Sequence, residues 1–183
     1  GIRDQIRPGV KEDLQKLKKL GVKNLVVLSG DNQGTVDLVA RELGLTEAHG
    51  HMLPGDKSTY IEKLKAKGHI VAFVGDGVND SPSLALAQIG IAMGSGTDVA
   101  IETSDVVLMN SDFSRLPHAL GLTKATANNM RQNIIIAVGV VLILLASVFF
   151  SEWMNMSIGM LVHEASILFV ILNGMRLLRY KLR

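Results

Sequence analysis

The chain has no cysteine, few aromatic residues and little net charge, and each shortage excludes a class of function. Without cysteine, its 183 residues form no disulfide and no thiolate metal site. Aromatic residues make up 4% of the sequence, which is too few for the base-stacking platforms of nucleic-acid binders. The formal net charge of +2 gives no strong field to attract a phosphate backbone. We therefore expect no nucleic-acid partner.

The two parts of the chain differ in composition. Residues 1–132 mix Lys and Glu with Leu, Val and Gly, as soluble domains do, whereas the sequence from Ile134 onward is strongly apolar. Residues 134–150 carry no charge and are just long enough for a membrane span, and residues 156–178 are long enough for a second. A buried helix of a soluble domain is the alternative interpretation. The pattern predicts a two-helix transmembrane hairpin.

The first part alternates short apolar runs with segments of helical periodicity. The apolar runs have the pattern of buried parallel strands and lie at 22–28, 70–74, 89–93 and 106–109. The helical segments lie at 10–20, 33–43, 57–67 and 82–88, and a short extended piece is expected at 51–53. Alternation of this kind predicts a doubly wound α/β domain with a mainly parallel sheet.

The strongest candidate site follows the apolar run at 70–74. The string Gly75-Asp-Gly-Val-Asn-Asp-Ser-Pro82 places Asp76 and Asp80 four residues apart among glycines that let the backbone approach a ligand. In open α/β sheets such turns at strand carboxyl ends carry the chemistry. Two carboxylates there suit a hard cation such as Mg²⁺. The alternative is a turn whose Asp and Asn side chains bond only their own backbone.

Two further polar clusters occupy comparable positions. Ser29, Gly30 and Asp31 follow the run at 22–28, and Lys57 begins the next helical segment. A hydroxyl and an ammonium group can contact phosphoryl oxygens while carboxylates hold the metal. Taken alone, Ser29 is more typical of a turn or cap, and Lys57 of a solvated helix face.

In combination these motifs resemble those of the P-type ATPases. Ser29-Gly-Asp-Asn32, Pro54-Gly-Asp-Lys57 and the string 75–82 occur in the family's order. The element formed by Asp4, Arg7 and Pro8, together with residues 90–100 and 105–108, is also similar to that family. The resemblance implies a haloacid-dehalogenase-like, Rossmann-type phosphorylation domain that uses ATP and Mg²⁺.

The resemblance also implies a role for each site residue. Asp76 would ligate Mg²⁺, and Asp80 would support the metal and the phosphate. Ser29, where the family usually has Thr, would bond phosphoryl oxygens, and Lys57 would neutralise their charge. The remaining residues would orient this shell or bring the backbone close to it, and they are Asp31, Asn79, Gly30, Gly75 and Gly77.

One departure from the family is larger than any match. The family's nucleophile is the aspartate of an Asp-Lys-Thr-Gly-Thr motif, and no such string occurs here. We therefore expect residues 1–120 to be a partial phosphorylation domain without its first strand, and the chain to be the carboxyl-terminal part of a pump. The ATP-binding domain and nucleophile would belong to an upstream part acting as partner. Alone, the chain should form no aspartyl-phosphate.

The basic residues around the apolar segments predict the topology. Lys124 and Arg131 precede the first span, and Arg176, Arg179, Lys181 and Arg183 surround the end of the second. An excess of Lys and Arg marks the cytoplasmic side. We expect both termini in the cytoplasm of a bacterial cell, residues 151–155 with the interfacial Trp153 outside, and residues 121–133 as a cytoplasmic stalk helix.

The second span carries His163 and Glu164, which are costly in a membrane unless they face a protein interior or bind a ligand. Ser166 lies on the helical face of His163 and adds an oxygen. Nitrogen and oxygen ligands suit Zn, Co, Fe or Ni. The segment resembles the cobalt-type subgroup of transition-metal P-type ATPases, although Ala165 and Ile167 depart from its pattern. Buried residues that hydrogen-bond another helix are the alternative.

Two functions of different classes follow. The chain is either part of an ATP-driven exporter of a divalent transition metal, or a noncatalytic membrane fragment with no independent activity.

Overall fold

The computed structural model describes residues 6–94, 97–150 and 155–181. The chain divides into two compact units, Gly1–Pro117 and His118–Arg183. Some residues named from the sequence lie outside the described part, and these are Asp4, Ser95, Gly96, Trp153 and Arg183.

The first unit alternates helices with short strands, as the sequence predicts. Its elements, in chain order, are α1 (Val10–Lys19), β1 (Val26–Leu28), α2 (Gln33–Leu43), β2 (Glu47–His49), α3 (Pro54–Ala66), β3 (Ala72–Gly75), α4 (Ser81–Leu86), β4 (Ile89–Met93), α5 (Asp98–Glu102) and β5 (Val106–Leu108). This order confirms the mixed α/β class.

The strands form two separate parallel sheets. In the first sheet β1 pairs with β2, with Val26 opposite Glu47. In the second sheet β4 lies between β3 and β5, with Val74 opposite Ile91 and Ile91 opposite Val106. Among the described residues β1 and β3 are not paired, so both carry an open edge. The strands formed by the runs at 22–28 and 70–74 therefore lie in different sheets.

Two strand predictions were wrong in position. The run predicted to begin at residue 22 becomes a strand only at Val26, because Val22 donates its amide to the Leu17 carbonyl and completes the end of α1. The extended piece predicted at 51–53 is not a strand. Its place beside β1 is taken by β2, and His51 has a positive φ of 55°, which no strand tolerates.

Helix α3 begins three residues before the predicted start at Lys57. Pro54 fits the first helical position because it lacks the amide hydrogen that would be unpaired there. The Asp56 carboxylate accepts a hydrogen bond from the Leu53 amide at 2.9 Å and closes the helix start. Against α3 packs α4, with Ile61 and Leu84 each only 1% exposed. Lys57 therefore lies within the first turn of a well-held helix.

The second unit contains long apolar helices. Helix α6 spans Arg115–Phe150, so the predicted stalk and first span form one continuous helix, and α7 spans Met156–Met175. Both helices are long and apolar enough to cross a membrane. The 36 residues of α6 extend about 54 Å, which exceeds the hydrocarbon core of about 30 Å. A substantial part of α6 therefore lies beyond any bilayer it crosses.

Candidate functional site

The structure joins two of the predicted clusters through an ion pair. The Lys57 ammonium donates to the Asp80 Oδ1 oxygen at 2.8 Å. The two side chains are 17% and 15% exposed, so water screens this pair less than a surface pair. Lys57 comes from the first turn of α3, and Asp80 from the 3₁₀ turn that precedes α4. The pair fixes one carboxylate beside one cation at the carboxyl end of β3.

Gly75 provides the space for this arrangement. A Cβ atom at Gly75 would lie 2.7 Å from the Asp80 Cβ and 3.0 Å from the Asp80 Oδ2, closer than real Cβ contacts allow. At Gly77 the nearest atom would be the Asn79 amide nitrogen at 3.9 Å, an ordinary contact. Gly75 is thus required by the approach of Asp80, whereas Gly77 is not crowded.

Asp76 and Asn79 differ from Lys57 and Asp80 in their contact with solvent. Both residues are exposed. Within the described residues the Asp76 carboxylate has no hydrogen-bond or ion-pair partner, while its backbone carbonyl accepts from the Thr97 amide at 3.2 Å. Asp76 and Asp80 stand four residues apart in the sequence, and carboxylate oxygens are ligands of the kind that a hard divalent cation prefers.

The cluster after β1 forms its own turn. The Ser29 hydroxyl donates to the Asp31 Oδ2 at 2.9 Å and accepts from the Asp31 amide at 3.2 Å. Gly30 is exposed, and a Cβ there would meet only the Met52 carbonyl at 3.6 Å. This is the turn geometry typical of Ser and Asp.

The two halves of the candidate site are linked through backbone rather than side chains. Met52 donates its amide to the Ser29 carbonyl at 2.9 Å, and His51 donates to the Asp31 carbonyl at 2.7 Å. The chain then enters α3, which carries Lys57. Among the described residues no side-chain hydrogen bond joins Ser29 or Asp31 to Lys57, Asp76 or Asp80.

The sequence motifs did not identify Ser83, which contacts the helix that carries Lys57. Ser83 is fully buried, and its Oγ lies 3.3 Å from the Ser58 Oγ. The contact joins α3 to α4 one residue after Lys57 and three after Asp80. The only sequence signal was a small polar residue inside a short helix of sequence Ser-Pro-Ser-Leu-Ala-Leu.

A second polar cluster lies on β2 and α3. The Tyr60 hydroxyl donates to the Glu47 Oε2 at 2.7 Å, and the His49 Nε2 lies 3.3 Å from the same oxygen. The two rings pack with centroids 4.8 Å apart. Partial burial and the bond to Glu47 raise the pKa of Tyr60 to about 12. The bonds from Tyr60 and then His49 lower the pKa of Glu47.

In the second unit, the residues of the predicted transport site lie on a continuous stretch of α7. His163 and Glu164 are exposed and, as neighbours in a helix, diverge by about 100° around its axis. The Ser166 hydroxyl donates to the His163 carbonyl at 2.6 Å. Across the described residues no three His, Asp or Glu side chains converge as a metal site.

Comparison with protein families agrees with the fold. The model of the haloacid dehalogenase-like hydrolases matches residues 1–88, and a second model of the same description matches residues 57–120. The fold is therefore that of a haloacid dehalogenase-like domain followed by two helices of membrane-spanning length and composition.

Similar proteins and solved structures indicate which proteins with this fold the chain resembles. A probable cadmium-transporting ATPase of Staphylococcus aureus is 42% identical over 98% of this chain and 25% of its own length. The zinc-transporting ATPase of Bacillus subtilis is 41% identical over 97% of this chain and 28% of its own length. The crystal structure of a zinc-transporting PIB-type ATPase in its E2.Pi state superposes with a TM-score of 0.84, at 38% identity over 97% of this chain and 29% of that one.

Over nearly its whole length the chain is thus a homologue of the heavy-metal P-type ATPases, which confirms the resemblance found in its motifs. It spans about a quarter of the length of the curated relatives it matches. The relatives described above are named for cadmium and zinc, and the likeness to the cobalt-type subgroup stays a prediction.

Proposed function

We propose that this chain supplies the Mg²⁺ and phosphate side of the catalytic centre, together with transport-site residues, in an ATP-driven exporter of a divalent transition metal. The observation that carries the proposal is the ion pair between Lys57 and Asp80, because it unites two motifs that are separated in sequence. The nucleophilic aspartate and the ATP-binding residues would come from sequence outside these 183 residues.

The chemistry of the cytoplasmic residues follows from their charges. Asp76 and Asp80 would hold Mg²⁺, which when bound withdraws charge from phosphoryl oxygens. Lys57, already fixed against Asp80, would place its ammonium on the same oxygens, where charge accumulates during transfer. Ser29 would donate a further hydrogen bond once its hydroxyl turns from Asp31, and Asp31 and Asn79 would orient this shell.

The membrane residues would bind the transported ion. His163 and Glu164 offer a nitrogen and an oxygen ligand, and Ser166 retains lone pairs while donating to the helix backbone. This set suits Zn, Co, Fe or Ni. Because His163 and Glu164 diverge around α7, further ligands would have to come from other helices of the pump. The cadmium and zinc named in the relatives support a divalent cargo.

The proposed orientation in the bilayer rests on the distribution of Lys and Arg. Both termini would lie in the cytoplasm of a bacterial cell, with residues 151–155 outside, because the basic residues gather at the ends of the two apolar segments that are remote from residues 151–155.

A chimera tests the proposal. The aligned 178 residues of the Bacillus subtilis zinc-transporting ATPase would be replaced by this chain. We expect ATP hydrolysis stimulated by Zn²⁺, an activity lowered about 100-fold by Lys57→Met or Asp76→Asn, and loss of metal stimulation in His163→Ala. Lys63→Met, on the exposed side of the same helix, is the matched control and should leave the rate unchanged.

The alternative function predicts a different result. If the chain is a noncatalytic membrane fragment, the chimera will insert into membranes but hydrolyse no ATP in response to metal. The 183-residue chain by itself should incorporate no radiolabel from ATP in either case. Incorporation would show that it holds a nucleophile of its own.

A further inference from the structure

Three asparagines join α6 to α7 through a closed series of hydrogen bonds. The Asn173 side-chain amide donates to the Asn133 Oδ1 at 2.8 Å, and Asn133 donates to the Asn129 Oδ1 at 3.2 Å. Asn129 then donates to the backbone carbonyl of Asn173 at 2.7 Å. Arg176 donates to the Asn173 Oδ1 at 2.9 Å. Each amide therefore both donates and accepts, and the series returns to the residue at which it began.

This network also completes the end of α7. Asn173 lies in the last turn of the helix, where carbonyl groups lack an amide partner four residues on. Its carbonyl accepts from the Arg176 amide and, with its remaining lone pair, from Asn129. Asn129 is only 7% exposed, so its amide is removed from water and depends on these bonds.

Apolar packing does not provide a comparable link between the two helices. Their large apolar side chains are mostly exposed, among them Ile135 at 65%, Leu142 at 60%, Leu161 at 72%, Leu168 at 62% and Phe169 at 68%. In a bilayer, moreover, lipid tails compete equally for such surfaces, and helices associate through close packing and interhelical hydrogen bonds. A buried Asn in a helix pair is known to specify register.

We propose that Asn129, Asn133 and Asn173 form an amide clamp that sets the register of α6 against α7. Resting on the proposed function, we further assign Asn173 as a positioning residue for the transport site. His163 lies ten residues before it on the same helix, about 15 Å along the axis. A clamp that fixes the end of α7 also fixes the height and the rotation at which His163 and Glu164 face the rest of the membrane domain.

The register is measurable in the chain itself, reconstituted in phospholipid nanodiscs. The absence of cysteine allows spin labels to be placed only at Leu142→Cys and Leu161→Cys, both exposed. We expect one narrow distance distribution by double electron–electron resonance. In Asn129→Ala and Asn173→Ala it should shift by about 5 Å, one helical turn, or double in width. Asn128→Ala, the exposed neighbour outside the network, should leave the distribution unchanged.

An unchanged distribution in Asn129→Ala and in Asn173→Ala would overturn the clamp. A conservative variant guards against a trivial loss of folding. Asn129→Asp keeps the shape but, when ionised, has no hydrogen to donate to the Asn173 carbonyl. Its distribution should be broad at pH 7.5 and narrow again once the pH is low enough to protonate the introduced carboxyl, whose ordinary pKa is about 3.9. A role in packing alone would give the same distribution at both pH values.

The positioning role has a separate readout. Because further ligands would have to come from other helices of the pump, the Zn²⁺ affinity of the Bacillus subtilis chimera in nanodiscs would be measured by competition with a chromophoric chelator. We expect His163→Ala and Asn173→Ala each to weaken binding about tenfold, and Asn128→Ala to leave it unchanged. If His163→Ala has no effect, the proposed transport site fails while the clamp stands on the distance data. If only Asn173→Ala has no effect although the register shifts, the positioning role fails.

Discussion

At the scale of single residues, the candidate site depends on the space beside Asp80 as much as on its charge. Lys57 donates to the carboxylate of Asp80, and the Cβ of Asp80 lies close to the backbone at Gly75. In the sequence motif alone, Gly75 and Gly77 have no feature that distinguishes them. The structure distinguishes them, because an added Cβ would collide with Asp80 at Gly75 but would meet no atom closer than 3.9 Å at Gly77.

Gly75→Ala is therefore expected to disrupt the site, while Gly77→Ala is tolerated. The added methyl at Gly75 would lie 2.7 Å from the Asp80 Cβ, which cannot move without its backbone. Overpacking of this kind costs about 1–3 kcal/mol. Hydrogen exchange in β3 and the 76–80 turn should accelerate about tenfold in Gly75→Ala and remain near wild type in Gly77→Ala. Equal exchange in the two variants would show that the contact is relieved cheaply.

The titration of Tyr60 tests the cluster on β2. With Tyr180→Phe as background, the tyrosinate absorbance should rise with a midpoint near 12 in the folded chain and near 10 after unfolding in urea. Because folding raises this pKa, Tyr60 stabilises the fold fully below about pH 10, and the contribution is lost as pH rises through about 12.

Glu47→Gln separates the causes of that shift. The substitution removes the carboxylate but keeps an acceptor, so the midpoint should fall, although not to 10, because burial is the larger cause. A midpoint unchanged by Glu47→Gln would exclude the charge of the Glu47 carboxylate as a contributor. Glu62→Gln, an exposed substitution elsewhere on α3, is the control.

At the scale of elements, α3 is held by little apolar surface. Within the described residues, Ile61 is the one buried apolar residue of α3. Leu84 is the buried leucine of α4, which packs against α3. The polar contacts between the same helices are Lys57 with Asp80, Ser58 with Ser83, and Lys65 with the Leu86 carbonyl. The position of Lys57 therefore depends on a small core.

Leu84→Ala should therefore destabilise the helices that position Lys57, although Leu84 is not itself a residue of the candidate site. Removing a fully buried leucine costs about 2–5 kcal/mol, and hydrogen exchange of α3 and α4 should accelerate together. Leu53→Ala, which truncates a side chain that is 70% exposed, should change stability by less than about 0.5 kcal/mol. Similar exchange in both variants would mean that α3 is anchored by its polar contacts instead.

The same elements show how far the sequence can be interpreted. Helix α2 was predicted at its observed bounds, because Asn32 accepts from the Thr35 amide at its start and Gly44 ends it with a positive φ. Strand β2 was missed because Glu47, Ala48 and His49 have no strand-like alternation, and their pairing with β1 is decided by tertiary contacts. The hydrogen bonds among Asn129, Asn133 and Asn173 were not predicted, because no sequence pattern marks which asparagines of two helices meet.

The candidate site was predictable in part for a similar reason. Asp76, Asp80 and Lys57 stand in strings whose residue types are rare in combination, whereas Ser83 resembles any small residue of a buried helix. Pairing between α3 and α4 involves residues more than twenty positions apart, and no local pattern encodes which side chains meet.

At the scale of the whole molecule, two composition classes meet in one chain. The first unit has a mixed surface and small cores, and its strands β1 and β3 keep open edges, which favour association with other strands. The second unit exposes many apolar side chains, whose contact with water is unfavourable and whose contact with lipid is favourable. The chain is therefore expected to need a bilayer for one unit and partner strands for the other.

Membrane orientation is the prediction that depends on the whole chain. Arg131 precedes the apolar segment at 134–150, and Arg176 and Lys181 lie around the end of the apolar segment at 156–178, so these positions should stay in the cytoplasm. Because the chain has no cysteine, Asn155→Cys and Lys181→Cys each give one reactive position against a background of none. In intact bacterial cells a membrane-impermeant maleimide should label Asn155→Cys, and Lys181→Cys only after permeabilisation. The reverse pattern would place residues 151–155 inside the cell, and equal labelling of both variants in intact cells would mean that the two helices do not span the membrane.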